Sequence, residues 1–133
     1  AGYFDINSKG HITVRPANGD PRYVDLKELV DHLISTRKLH LPLLIRFPQL
    51  LSSQLRTLSN AYQHAIAEYG YQGQHYPVFP MKVNPRREVV EEFLRDSQRC
   101  MVGLECGSKA ELYAALAQDQ SPQSLLLCNG FKD

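Results

Sequence analysis

The chain has no tryptophan, two methionines and three cysteines in 133 residues, and these scarcities narrow what it can be. Cys100, Cys106 and Cys128 are odd in number and lack the paired spacing of a structural zinc site. They read as reduced, buried thiols in a cytosolic protein. The five histidines are scattered at 11, 32, 40, 64 and 75, with no pair four apart enclosing an acid, so the pattern predicts no metal centre. No apolar run approaches the roughly 20 residues of a membrane span, and Asp5 and Lys9 among polar neighbours exclude a signal peptide. Fifteen basic against fourteen acidic residues leave a net charge of +1, without the electrostatic footprint of a partner for nucleic acid or anionic membrane. A glycine-rich phosphate loop and an arguable Ser-His-Asp arrangement are also missing.

What is present is globular. A hydrophobic share of 43% against 22% charged residues separates the chain from disordered sequences, and its length suits one modest domain with a core. Residues 3 to 15 read as an extended leader and 16 to 21 as a loop. Asp25 is placed to cap a helix, with Glu28 three residues on and Leu26, Leu29, Val30, Leu33 and Ile34 on one helical face. Residues 41 to 47 form a mostly apolar run that reads as a buried strand. Pro48 suits the first turn of a following helix striped by Leu51, Leu55, Leu58, Tyr62 and Ile66, and Gly70 is placed to end it.

The next strand is read over 76 to 83, although Pro80 forfeits a ladder donor there. Asn84 and Pro85 can cap and start a helix holding Val89, Val90, Phe93 and Leu94. A strand over 101 to 106 follows, then Ser108 with Glu111 at capping-box spacing before Leu112, Ala115 and Leu116, then a strand over 124 to 128. Strands alternating with helices indicate βα units and a parallel sheet. Periodicity alone leaves a doubly wound sheet and a barrel both open.

Lys82 carries the chemistry. Strict alternation would send Phe79, Met81 and Val83 to one face and Pro80, Lys82 and Asn84 to the other. A lysine at the carboxyl end of a strand stands where α/β barrels place their reactions. A desolvated amine loses its proton more readily and can form a Schiff base with an aldehyde; the plainer reading is a lysine that extends to water.

Phe79-Pro80-Met81-Lys82-Val83-Asn84 resembles the cofactor-lysine motif of the pyridoxal-phosphate decarboxylases with an alanine-racemase-like barrel. Residues 103 to 112 (GLECGSKAEL) and 126 to 133 (LLCNGFKD) resemble the strands that follow in that family. The opening residues 2 to 7 (GYFDIN) and 10 to 16 (GHITVRP), with 41 to 48 (LPLLIRFP) and 68 to 73 (EYGYQG), are similar to the biosynthetic arginine decarboxylase branch. The ornithine and diaminopimelate branches lack such a leader.

The resemblance implies an α/β fold: the N-terminal part of a (β/α)8 TIM-type barrel with parallel strands, preceded by a short leader. Residues 1–40 would be leader and first helix, and 41–133 the first half of the pyridoxal-phosphate-binding barrel. With four expected strands where a closed barrel has eight, the chain is expected to be the front of a larger enzyme. The implied activity is a lyase converting L-arginine to agmatine, toward putrescine and spermidine, with pyridoxal 5'-phosphate on Lys82. Magnesium is implied by the family alone, with no ligands identifiable here. A cytoplasmic homo-oligomer is expected when full length, without nucleic-acid or membrane partners.

Glu105 aligns with an acidic position near the cofactor lysine in related decarboxylases, which implies a role in tuning that amine; it could equally pair with a nearby base. Arg46 could meet a phosphate or simply be solvated, and Glu111 reads as the partner of Ser108. The remaining phosphate and substrate contacts come later in the family. Alternatives are a non-catalytic pyridoxal-phosphate-binding or regulatory homologue, disfavoured by the arginine-type leader, and a decarboxylase for ornithine or diaminopimelate.

Overall fold

The computed structural model describes residues 2–95 and 100–130, and the end of the last family-like block, Phe131 to Asp133, lies outside them. Two compact units divide at Ser53/Gln54. In the first, β1 (Phe4–Ile6), β2 (Ile12–Val14) and β3 (Val24–Asp25) form an antiparallel sheet in that order. The β1–β2 turn is set by Asn7, whose Oδ1 accepts from the backbone N–H groups of Lys9 and His11 at 3.0 Å each. Gly10 supplies the positive φ of +79° that the turn requires.

Asp25 then caps α1 (Leu26–Arg37), its side chain accepting from the N–H groups of Lys27 and Glu28. The reciprocal half of a capping box does not form, because the Glu28 carboxylate takes the Lys9 ammonium at 2.6 Å. The apolar stripe of α1 is at most half-buried, with Ile34 exposed.

The second unit contains most of α2 (Pro48–Glu68), which starts on Pro48 as its fixed φ favours. α2 ends on Gly70: Tyr71 N–H donates to the Ile66 carbonyl at 3.0 Å and Gly70 N–H to that of Ala67 at 3.4 Å, with Gly70 at a φ of +61°. This paired closure satisfies two orphan carbonyls of the last turn. There follow β4 (Val78–Pro80), α3 (Arg87–Arg95), β5 (Gly103–Cys106), α4 (Lys109–Leu116) and β6 (Leu126–Cys128). The three strands make a parallel sheet in the order β4-β5-β6. The expected α/β class with a parallel sheet is therefore present. Its core joins Met81, Val90, Leu94, Leu104, Cys106 and Ala115, with Phe79, Leu112 and Leu126 packed on it. Phe79 stacks on Phe93 with ring centroids 4.2 Å apart. Among the described residues, no helix is long and apolar enough to cross a membrane.

Four expectations need correction. Residues 41 to 47 form no strand, and Leu41 and Leu44 are 67% and 76% exposed. A strand exists only by pairing, and among the described residues β4 pairs with β5 alone. The strand expected over 76 to 83 contracts to Val78–Pro80, because Pro77 and Pro80 carry no N–H and the chain turns immediately afterwards. Met101 is not extended but sits at a φ of +52°, so β5 begins two residues later at Gly103. Of the thiols expected to be buried, Cys100 and Cys106 are, whereas Cys128 is exposed on the edge strand β6.

Candidate functional site

The carboxyl edge of the parallel sheet is built by alternation and register. In β5, Leu104 and Cys106 are fully buried among α3 and α4 residues. Intervening Glu105 therefore belongs to the opposite face, with its register partners Pro80 and Leu127. That face also carries Val78 and Gly103. The β4–β5 ladder continues one residue past β4, Met81 N–H donating to the Glu105 carbonyl at 2.9 Å. The chain then turns, closed by Val83 N–H to the Pro80 carbonyl at 3.1 Å.

Lys82 occupies this turn and is exposed. Two anchors fix its backbone. Met81, 1% exposed, is a buried plug immediately before it. Asn84 follows, its Oδ1 accepting from Arg86 N–H at 3.3 Å ahead of α3. The turn also breaks the expected alternation: Met81 is buried, but Val83, expected beside it, is 68% exposed.

Among the described residues, neither the Lys82 amine nor the half-buried Glu105 carboxylate has a hydrogen bond or ion pair. The structure thus brings these two sequence candidates to neighbouring strand ends and leaves both groups uncommitted. An uncommitted primary amine is the group an aldehyde needs, so these residues fit the attachment of pyridoxal phosphate. A carboxylate beside such an amine can hold or return its proton.

The other candidates do not join them. Arg46 is exposed in the strandless segment of the first unit. Glu111 closes a cap: Ser108 Oγ accepts its N–H at 3.2 Å, and its own carboxylate accepts the Gly107 N–H at 2.6 Å. The sheet's last ladder bond runs from Asn129 N–H to the Cys106 carbonyl at 2.9 Å, and the predicted turn at Asn129-Gly130 has Gly130 at a φ of +76°.

Sequence spacing missed one cluster. His11, Asp25 and Glu28 bring potential ligand atoms within 4.8 Å of one another, although His11 lies 14 residues before Asp25 in the chain. Their donors and acceptors are already engaged. Asp25 Oδ2 accepts from Asn7 Nδ2 at 2.7 Å and meets His11 Nδ1 at 2.9 Å, while Glu28 holds Lys9. Burial pushes the Asp25 carboxyl up, but the Glu28 N–H, His11 and Asn7 together outweigh it and bring it down to about 2. These are the bonds of a helix cap, and they give no reason to place a metal there.

Sequence reading also missed a concavity of about 250 Å³ lined by Arg56, Ser59, Asn60, His75 and Met101 among others, at residues that precede β4 and β5. It lies toward the amino ends of those strands, away from Lys82. The His75 ring stacks on Tyr62 at 3.9 Å.

Comparison with known proteins bears on the Lys82 edge. The family model "pyridoxal-dependent decarboxylase, pyridoxal binding domain" matches residues 53–133. The biosynthetic arginine decarboxylase of Synechococcus sp. (strain RCC307) is 48% identical over 131 residues, 98% of this chain and 20% of that protein. The protein of the same name from Phocaeicola vulgatus is 45% identical over the same shares. The crystal structure of the biosynthetic arginine decarboxylase SpeA from Campylobacter jejuni superposes with a TM-score of 0.86 at 31% identity, covering 99% of this chain and 21% of that one. The chain spans about a fifth of the length of the relatives it matches.

Proposed function

Because the chain belongs to the pyridoxal-dependent decarboxylases through their pyridoxal-binding domain, we propose that it is part of an enzyme decarboxylating L-arginine to agmatine, with Lys82 as the cofactor-binding residue. The observation that carries this reading is the uncommitted amine of Lys82 in the turn after β4, at the same edge of the sheet as Glu105. Its support from outside the fold is the shared name of relatives 43 to 49% identical over almost the whole chain.

The cofactor, when bound, supplies the electron sink that lets a carboxylate leave as CO₂. The chain's own residues do the rest. Lys82 Nζ provides the point of covalent attachment. Helix α3 begins at Arg87, so Asn84 and Pro85 do not cap and start it as expected. The buried Met81 and the Asn84 bond to Arg86 N–H hold the Lys82 backbone, so the amine is presented from a fixed place on the sheet edge. Glu105 is proposed to position that amine and to exchange a proton with Nζ.

We place residues 1–40 outside the barrel and 41–133 in its first half. A cytoplasmic homo-oligomer is proposed for the whole enzyme on the resemblance alone. Magnesium rests on the same ground, and no residue here is assigned to it.

Borohydride reduction of the cofactor-loaded whole enzyme tests the assignment. It should fix a pyridoxyl group on the peptide containing Met81-Lys82-Val83. Lys82→Arg should abolish the adduct and most agmatine formation, because a guanidinium stays protonated and is a poor amine nucleophile. A label on Lys38 or Lys109 would refute the site. Turnover of ornithine or diaminopimelate at a kcat/KM equal to or above that of arginine would refute the substrate.

A further inference from the structure

We propose that Cys106 and Cys128 are a redox-active thiol pair, which a hydroperoxide converts into an intramolecular disulfide across the β5–β6 edge. The two residues are direct partners in the parallel ladder, Cys106 opposite Cys128. Partners in register project from the same face of a sheet, and neighbouring strands run about 4.7–4.9 Å apart. That separation falls within the Cα–Cα span of about 4.4–6.8 Å that a disulfide bridges. The register is held at this end by the bond from Asn129 N–H to the Cys106 carbonyl at 2.9 Å. β6 is three residues long.

The two sulfurs differ in a way that orders the chemistry. Cys128 is exposed, and Cys106 is 0% exposed beneath the α3 and α4 residues. Oxidation begins at the accessible thiolate. Cys128 sulfur attacks one peroxide oxygen, the O–O bond breaks, and the leaving hydroxide takes the thiol proton to become water. Cys128 is then a sulfenic acid. Cys106 sulfur attacks it, the S–O bond breaks, and the departing hydroxide takes the Cys106 proton as a second water. In sum, two thiols lose two electrons and two protons, and one hydrogen peroxide becomes two waters. Cys100 has no such partner in register and packs in a separate cluster with Leu55, Val102 and Phe93. The pair makes no use of Lys82, so this inference stands apart from the proposed function.

The test is to expose the protein to hydrogen peroxide, alkylate the remaining thiols and map the peptides without reduction. The expected product joins the Cys106 and Cys128 peptides within one chain with the loss of two hydrogens, leaves Cys100 alkylated and reverts with dithiothreitol. Cys100→Ala should preserve the link and Cys128→Ser should abolish it; neither substitution disturbs the buried Cys106. Cys128 advancing to sulfinic acid while Cys106 remains alkylatable would overturn the proposal. So would a link confined to Cys128 of two chains, or one that uses Cys100.

Discussion

At the scale of single residues, the site edge depends on positions with little room for change. Gly103 opens β5, and a Cβ added there would collide with the backbone carbonyl oxygen of Leu125. Gly103→Ala should therefore force β5 and β6 apart and cost about 1–3 kcal/mol, as overpacking commonly does, read as a lower midpoint in chemical denaturation. A pH effect belongs to Asp25. Its carboxyl, held at about 2 against an ordinary 3.8, stabilises the folded state fully above pH 3.8. That contribution fades as pH falls from 3.8 toward 2, because a depressed acid binds its proton more readily when unfolded. Asp20 titrates in the same window, held at about 2 by the Arg22 side chain and N–H. Asp25→Asn, which keeps a capping side chain but removes the charge, should lower the thermal midpoint most near neutrality. The gap to the wild type should close by pH 2, and a gap independent of pH would refute the charge argument.

At the scale of elements, the helices were the most legible part of the sequence. Asp25, Pro48, Gly70 and Ser108 each sit at the helix boundary their chemistry indicates, because caps act over a few residues of local backbone. Ser108→Ala should cost about 1 kcal/mol of stability, while Glu111→Gln should cost less, since an amide oxygen can still accept the Gly107 N–H. The strands were less legible because pairing decides them. The apolar run over 41 to 47 has strand composition but no ladder, and Pro77 and Pro80 trim β4 to three residues. The same trimming explains what was readable at the site. Lys82 and Glu105 were visible as residue types near strand ends. Their placement at neighbouring strand ends required the register Pro80 opposite Glu105, which no local pattern encodes. The link among His11, Asp25 and Asn7 was invisible for the same reason, since it needs the β1–β2 turn folded against the start of α1.

At the scale of the whole molecule, each unit carries apolar surface that nothing described covers. In the first, Phe4, Ile6 and Ile12, 61%, 69% and 53% exposed, lie on one face of the antiparallel sheet, of which only the end at Val14 is buried. In the second, Val83, Leu125 and Leu127 are exposed, and β4 and β6 each keep an edge without a described partner. Unpaired edges beside apolar faces are templates for association. The 133-residue chain in isolation is therefore expected to elute in size-exclusion chromatography at a volume that shifts to larger species with concentration. Leu127→Lys should weaken that shift, because a charge on the edge strand opposes pairing. Cofactor retention tests the same surface from another side. With the Lys82 turn exposed to water, cofactor held by the isolated chain should be lost on dilution. A monodisperse monomer that keeps its cofactor absorbance through dilution would show that the second unit is self-sufficient, and that the open face needs no further strands to make the site.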